Sequence, residues 1–205
     1  MLGTSRGGAD VGEIVRRLAL WGVNTLFVVG GNGGNAAAHA IHTECDRSGL
    51  ACSVVGVPKS IDNDILLIDR CFGFDTAVEE AQRALLAAKV EASSADRGVG
   101  LVRLMGRQSG FIAMQASMAS GVVDLCLIPE VPFTLPKLAA ALDAVLARKG
   151  HAVVCVAEGA GQDLVDGHHA ADASGNPILA DIGAFLKGEL KARCKGVDIK
   201  YIDPT

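Results

Sequence analysis

The chain has 205 residues, enough for one large domain or two small ones, and 50% of them are hydrophobic while only 4% are aromatic. Such a core, built from Val, Leu, Ile and Ala, favours helices packed on a sheet over an aromatic-rich β-sandwich. The mild net charge of −4 and the lack of a basic patch argue against nucleic acid or a membrane surface as partner, and no apolar run approaches the ~20 residues that span a bilayer.

Strands and helices alternate along the sequence, and most strands are continuously apolar, which is typical of parallel sheets covered by helices. We therefore predict an α/β fold of parallel sheets flanked by helices in three layers, with an internal boundary near Phe74. The predicted elements, in chain order, are a helix capped by Asp10 and ended near Gly22, strand 25–29, helix 35–45, strand 52–57, loop 65–74, helix 76–92, strand 99–104, helix 111–119, strand 124–128, helix 138–148, strand 152–157, helix 180–193 and strand 197–202.

The six cysteines show neither a CxxC motif nor paired spacing, so we expect no metal or disulfide framework and a reducing compartment. Cys52, Cys126 and Cys155 lie inside apolar runs, which predicts small core residues. His168 and His169 lie in a polar segment and are interpreted as surface histidines. Residues 1–8 contain no signal-peptide apolar stretch.

The stretch PKSIDND, residues 58–64, follows the second predicted strand, which Pro58 ends because it offers no N–H to a ladder. If the loop is extended, Asp62 and Asp64 point the same way. Open α/β sheets place their ligands beyond the carboxyl ends of strands, where this lysine and these carboxylates lie. The alternative is a polar turn in which Asp and Asn bond their own backbone.

Three more stretches at strand ends are candidates for binding. The glycine run 30–34 can bring backbone N–H groups to a phosphate, although a tight strand-to-helix turn explains it equally well. Arg107 suits a phosphate or carboxylate, and its alternative is a surface arginine beside a helix cap at Ser109. Glu158 can accept bonds from sugar hydroxyls or be a solvated carboxylate. Because parallel strands end at one edge of a sheet, four such stretches together favour a common site.

These stretches closely resemble the phosphofructokinase family, in the same order along the chain. The matching motifs are PKSIDND (58–64), FGFDTA (72–77), LMGR and SG (104–110), LIPE (127–130) and AEGAGQ (157–162). The similarity runs from about Leu2 to the end and is nearest to the plant-and-protist-like ATP-dependent 6-phosphofructokinases. It implies the phosphofructokinase fold, with residues 1–74 in a nucleotide-binding α/β domain and residues 75–205 in a fructose-6-phosphate-binding α/β domain.

The resemblance implies phosphoryl transfer from ATP to the 1-hydroxyl of fructose 6-phosphate, a glycolytic step, with Mg²⁺ as cofactor. It makes Asp62 the general base, Asp64 a carboxylate that supports the metal and the phosphoryl group, and Lys59 a cation that neutralises transition-state charge. By the same resemblance, the substrate-binding residues are Ser60, Met105, Gly106, Arg107 and Glu158, and the nucleotide-binding residues are Gly31, Asn32, Gly33 and Gly34.

Two features depart from the family pattern. Asn32 stands where the GGDG[TS] loop supplies a magnesium-coordinating aspartate, and an amide offers an oxygen but no charge, so we expect weaker Mg²⁺ affinity. Gly34 replaces the hydroxyl residue of that loop. Family members also extend beyond both ends of this chain, so we interpret it as a segment of a longer subunit, inactive alone.

Alternatives stay open for the phosphoryl donor, for catalytic competence and for the cellular location. Gly33 matches a small residue that admits ATP, which favours ATP over pyrophosphate, although Lys59 occurs with both donors. A catalytically impaired or regulatory subunit is the alternative that Asn32 suggests. For the full-length protein we expect a homo-oligomer in the cytoplasm, or in a plastid if a transit peptide was lost.

Overall fold

The computed structural model describes residues 10–165 and 178–204. The predictions for residues 1–8 and for His168 and His169 lie outside the described residues. The described chain forms two compact units, which we call unit 1 (residues 10–60 and 65–73) and unit 2 (residues 61–64, 74–165 and 178–204).

Unit 1 is a pair of parallel strands with two helices. Its core contains Val15 and Leu18 from the first helix and Ile41 and Cys45 from the second. The Asp10 carboxylate accepts a hydrogen bond from the Glu13 N–H at 3.1 Å, which confirms the predicted N-cap. The elements are α1 (Val11–Leu20), β1 (Thr25–Gly30), α2 (Asn32–Ser48) and β2 (Ser53–Pro58).

Helix α2 begins three residues before its predicted start at residue 35. The helix begins at Asn32, with Gly31 as its N-cap, so that Gly33 and Gly34 lie in its first turn. The Asn35 N–H donates to the Gly31 carbonyl at 2.9 Å and closes this turn. Glycine disfavours a helix interior but is tolerated at its first positions, where the backbone N–H groups have no intrahelical partner.

Unit 2 is a four-stranded parallel sheet in the order β4-β5-β3-β6. Apolar side chains from α5 and α6 cover one face and those from α3 and α4 cover the other. The central strands β3 and β5 are buried almost throughout, which confirms the predicted three-layer α/β arrangement. The elements are α3 (Phe74–Ser93), β3 (Gly98–Leu104), α4 (Phe111–Ser120), β4 (Leu125–Leu127), α5 (Leu135–Lys149), β5 (His151–Ala157), a 3₁₀ turn (Gln162–Leu164), α6 (Ile182–Arg193) and β6 (Asp198–Ile202).

Three predictions about burial have different outcomes. Cys52 and Cys155 are buried as predicted, but the prediction that Cys126 is a core residue was wrong, because Cys126 is exposed. It lies on β4, a three-residue strand at the edge of the sheet, which has β5 as its one neighbouring strand among the described residues. Among the described residues, no helix combines the length and apolar character that a membrane crossing requires.

We expect opposite effects on stability from two Gly→Ala substitutions in unit 2. A Cβ at Gly100, in β3, would lie 2.6 Å from the Ala88 carbonyl of α3. Gly100→Ala should therefore cost about 1–3 kcal/mol through overpacking. Gly188, in α6, has open space around it, so Gly188→Ala should stabilise by about 0.5–1 kcal/mol through helix propensity.

Urea unfolding followed by circular dichroism measures both changes. Equal shifts of the two midpoints in one direction would show that close helix-on-sheet packing at Gly100 does not limit stability.

Candidate functional site

The turn between β1 and α2 is held against the end of β2. Gly30 pairs with Pro58 in the parallel register, and the Lys59 N–H donates to the Gly30 carbonyl at 2.9 Å. A Cβ on Gly31 would lie 3.3 Å from the Lys59 carbonyl oxygen, so a side chain there would crowd the Lys59 backbone. Unit 1 thus brings the predicted Gly31 turn and the backbone of Lys59 together.

Asn35 is a functional candidate that sequence reasoning missed. Its side-chain N–H₂ donates to the carbonyls of Gly30 at 3.1 Å and Gly31 at 2.9 Å, and so fixes the shape of the turn. A Cβ built on Gly33 or Gly34 would meet no neighbouring atom of the described residues within 4 Å. The first-turn N–H groups of α2 therefore stand beside an open surface, and the helix dipole adds positive potential there.

In unit 2, the ends of β3 and β5 are joined by backbone hydrogen bonds. Leu104 and Ala157 are paired, and the next residues continue the contact, because the Glu158 N–H donates to the Leu104 carbonyl at 2.8 Å. The Gly159 N–H then donates to the Gly106 carbonyl at 3.0 Å. These bonds bring two predicted stretches, residues 105–107 and Glu158, to the same edge of the sheet.

Arg107 and Glu158 face each other across this edge. Arg107 Nε lies 3.9 Å from Glu158 Oε1, and the guanidinium side chain is 40% exposed while the carboxylate is 17% exposed. Gly159 has no room for a side chain, because a Cβ would overlap the Arg107 carbonyl. The site therefore offers a solvent-facing guanidinium for an anion beside a mostly buried carboxylate that can accept hydrogen bonds from hydroxyls.

The loop that carries Asp62 and Asp64 is not extended, so the prediction that both side chains point the same way by alternation does not apply. Asn63 between them has φ 54°, in the left-handed region, which asparagine tolerates better than most residues. The Ser109 hydroxyl donates to the Asp62 carbonyl at 2.8 Å and holds the loop from the start of α4. Ser109 is buried and does not cap α4, whose N-cap is Gly110, so that interpretation of Ser109 was wrong.

Glu130 is a second residue that sequence reasoning missed. Its Oε1 accepts a hydrogen bond from the Gly110 N–H at 2.8 Å and satisfies one of the free donors at the start of α4. Its sequence signal was the LIPE stretch after β4, which is one more carboxylate beyond a strand end. Glu130 thus braces the turn from which Ser109 holds Asp62.

Asp62 has the electrostatic environment of a proton acceptor. Burial, and the nearby charges of Asp64 and Glu158, raise the pKa of its carboxyl group to about 6, while Arg107 opposes the shift. Its Oδ1 is buried without a hydrogen-bond partner in the described part of the chain. A carboxylate with this pKa and an unused acceptor atom is suited to remove a proton near neutral pH.

A cavity of about 270 Å³ lies in unit 2, beside Ile61 and Met105. Apolar side chains dominate its lining, and its one acidic residue, Glu80, pairs with Arg83 at 3.0 Å. This lining does not suit a phosphate. We therefore assign the polar chemistry of unit 2 to the edge that carries Arg107, Glu158 and Asp62.

The acidic side chains of the described residues offer few ligands for a divalent cation. The described residues contain no cluster of three or more His, Cys, Asp or Glu side chains that could hold a metal ion. Mg²⁺ in phosphoryl-transfer sites is commonly bound by one or two carboxylates together with substrate phosphates. Asp64, whose charge reaches Asp62, offers one carboxylate of that kind and leaves Asp62 to accept a proton.

Comparison with known proteins places this arrangement in context. A family model described as Phosphofructokinase matches residues 1–204. The chain is 57% identical over 212 residues to ATP-dependent 6-phosphofructokinase 5, chloroplastic, of Arabidopsis thaliana, covering 100% of this chain and 40% of that protein. It is 45% identical over 219 residues to the ATP-dependent 6-phosphofructokinase of Amycolatopsis methanolica, covering 100% of this chain and 48% of that protein. The chain thus spans less than half of the length of either relative.

Solved structures show the same fold at low sequence identity. A pyrophosphate-dependent phosphofructokinase from Marinobacter aquaeolei superposes with a TM-score of 0.73 at 22% identity, over 94% of this chain and 47% of that one. A Pichia pastoris phosphofructokinase in the T-state gives a TM-score of 0.75 at 22% identity, over 96% of this chain and 21% of that one.

We expect Asp62→Asn to stabilise the protein at pH 7. Because the pKa of Asp62 is raised from 3.8 to about 6, the folded state holds this proton more tightly than the unfolded state does. Stability therefore falls as pH rises from about 4 to 6 and stays lower above that range. The neutral amide removes this cost, by on the order of 1 kcal/mol after allowance for partial solvent screening.

Urea midpoints of the wild type and Asp62→Asn, measured between pH 4 and 8, test this expectation. Their difference should vanish near pH 4. Asp96→Asn, at an exposed aspartate of the same unit, is the matched control and should show no such trend. A constant difference across the pH range would contradict the raised pKa.

Proposed function

This chain belongs to the phosphofructokinase family, and we propose that the protein containing it transfers a phosphoryl group from ATP to the 1-hydroxyl of fructose 6-phosphate. The product is fructose 1,6-bisphosphate, and the step belongs to glycolysis. The relatives named ATP-dependent 6-phosphofructokinase support this reaction, at 57% and 45% identity. The observation that carries the proposal is Asp62, whose raised pKa and unused buried oxygen fit a general base.

Asp62 removes the proton of the attacking hydroxyl in this proposal. Phosphoryl transfer depends mainly on positioning and on countering charge, and it requires the loss of one proton from the nucleophile. A base with a pKa of about 6 is mostly ionised at pH 7 and still accepts a proton readily. The bonds from Ser109 to Asp62, and from Gly110 to Glu130, keep the base in place during the reaction.

Asp64, Lys59 and Asn32 are proposed to act on the phosphoryl group and its counter-ion. When Mg²⁺ is bound, with Asp64 and Asn32 as its candidate protein ligands, it supplies positive charge against the phosphate oxygens. Lys59, which is exposed, adds a cation for the same charge. Asn32 contributes an oxygen without a charge, so the carboxylates carry more of the metal binding than they would beside an aspartate.

The sugar phosphate is proposed to bind at the edge of unit 2. Arg107 offers a forked guanidinium to the phosphate, and Glu158 accepts hydrogen bonds from sugar hydroxyls. Met105 and Gly106 form the backbone of the same turn, and Ser60 adds a hydroxyl that contacts the substrate. Gly106 has φ 130°, which an L-residue rarely adopts, so that the turn requires glycine.

ATP is the proposed donor, with Gly31, Asn32, Gly33 and Gly34 as the nucleotide-binding residues. The open space beside Gly33 supports a donor larger than pyrophosphate. Pyrophosphate is the alternative donor, and a regulatory subunit without turnover is the alternative from a different class, which Asn32 favours. For the full-length protein we propose a homo-oligomer. A cytoplasmic or plastid location is proposed, and the relative named chloroplastic supports the second.

Assays of the complete gene product with each donor test the proposal. We expect fructose 1,6-bisphosphate to form with ATP and Mg²⁺ but not with pyrophosphate. Asp62→Asn should lower kcat by about 10²–10⁴-fold with little change in KM, because it removes the base and leaves the shape. Asp96→Asn is the control, since this exposed residue precedes β3, at the other end of the strand from the site. Turnover with pyrophosphate alone would contradict the ATP assignment, and intact sugar-phosphate binding without transfer would favour a regulatory subunit.

We expect Asn32→Asp to restore the charge that the family pattern places in this turn. The substitution should lower the Mg²⁺ concentration that gives half of the maximal rate, several-fold, because a carboxylate binds Mg²⁺ more strongly than an amide. A Mg²⁺ titration of the rate measures the effect. Asn24→Asp makes the same change of charge at an exposed position before β1 and should leave the titration unchanged. Equal titrations for wild type and Asn32→Asp would show that this position does not limit metal binding.

A further inference from the structure

Two cysteines face each other across neighbouring strands of unit 2. Cys126, in the middle of β4, is the parallel partner of Cys155, in the middle of β5. Directly opposed residues project from the same face of a sheet, and neighbouring strands lie about 4.8 Å apart. That spacing falls inside the range of Cα separations that a disulfide can span, about 4.4–6.8 Å.

The two thiols lie on the face of the sheet that α4 covers. Cys155 Sγ lies 3.9 Å from the Ala113 carbonyl oxygen of α4. One turn further along the same helix face, the Ser117 hydroxyl is buried beside the two thiols. The sulfur pair thus has polar neighbours on one side and the apolar core on the other.

The two cysteines differ in their exposure to solvent. All six cysteines lie in the described residues, and Cys126 alone is exposed, while Cys155 is fully buried. A hydrogen bond from the Cys155 thiol lowers the pKa of Cys126, and the same bond and burial raise the pKa of Cys155. Cys126 is therefore the thiol that an oxidant can reach as a thiolate, and Cys155 remains protonated beside it.

We propose that Cys126 and Cys155 form an oxidisable dithiol, a modification site at which a hydroperoxide produces an intrachain disulfide. The Cys126 thiolate attacks one peroxide oxygen and breaks the O–O bond, which gives a sulfenic acid and a hydroxide that is protonated to water. The Cys155 thiol then loses its proton and attacks the Cys126 sulfur, which expels the sulfenic oxygen as a second water. In total, two thiols and hydrogen peroxide become one disulfide and two waters.

Unit 1 contains a pair that serves as an internal comparison. Burial raises the pKa of the Cys45 thiol, and the nearby Cys52 raises it further through its charge and a hydrogen bond. Both residues are buried in the core of that unit, at 0% and 8% exposure. If proximity alone decided reactivity, both pairs would oxidise together, whereas the proposal requires the pair with an exposed member to react first.

Peptide mapping of the complete, folded gene product tests the inference. The protein is treated with equimolar hydrogen peroxide, free thiols are blocked with N-ethylmaleimide, and the unreduced chain is cleaved with trypsin. Cys126 then lies in peptide 108–137 and Cys155 in peptide 150–187, while Cys45 and Cys52 lie in peptides 18–47 and 48–59. We expect linked peptides 108–137 and 150–187 to appear first and to be separated again by dithiothreitol.

Three variants assign the two roles. In Cys155→Ser, the sulfenic acid of Cys126 should persist and react with dimedone, because no second thiol resolves it. In Cys126→Ser, Cys155 should remain a free thiol that N-ethylmaleimide alkylates only after the protein is denatured. Cys52→Ser should leave the linked peptide unchanged. Linkage of Cys45 to Cys52 at a lower peroxide dose, or wild-type chains whose Cys126 goes to a sulfinic acid without linkage, would overturn the proposal. The mapping of the wild type decides the question even if a serine variant does not fold.

Discussion

The candidate site of unit 2 depends on the close approach of the backbone beyond β3 and β5. The two strands are paired to their last residues, and hydrogen bonds from Glu158 and Gly159 continue the contact into the loops. Gly159 permits it, because any side chain there would overlap the Arg107 carbonyl. Since the backbone is fixed on both sides, Arg107 and Glu158 project from positions that little motion can alter. The chemistry of this edge is therefore set by main-chain packing before any side chain is considered.

Further hydrogen bonds fix the position of Asp62. The loop of Asp62 has no regular structure, and it is held by the Ser109 hydroxyl, at a turn that Glu130 braces in its turn. The same burial that fixes the loop raises the pKa of the Asp62 carboxyl group to about 6. A carboxylate in such a place reduces the stability of the folded chain at neutral pH, which is typical of functional residues rather than structural ones. Burial of Asp62 therefore makes its carboxylate a better base and lowers the stability of the folded chain at neutral pH.

The sequence was informative about elements and poor at contacts between them. Hydrophobic runs and glycine boundaries predicted the strands and helices of both units, because these signals are local. The motifs predicted which strand ends carry polar residues, and parallel pairing then accounts for the meeting of residues 105–107 with Glu158. Asn35 and Glu130 were missed because each bonds to the backbone of another turn, which no spacing reveals. The exposure of Cys126 was missed because an apolar run does not show whether its strand is central or at an edge.

The turn before α2 has a well-supported backbone but lacks the carboxylate that the family pattern places there. Its backbone is held on two sides, because Asn35 donates to the carbonyls of Gly30 and Gly31 and the Lys59 N–H beyond β2 donates to the Gly30 carbonyl. Two residues differ from the family pattern: Gly34 lacks a hydroxyl, and Asn32 has nearly the shape of an aspartate without its negative charge. An amide at this position preserves the hydrogen-bonding surface around the first turn of the helix and reduces the attraction for a divalent cation. The proposed consequence of Asn32 is therefore a weaker attraction for Mg²⁺.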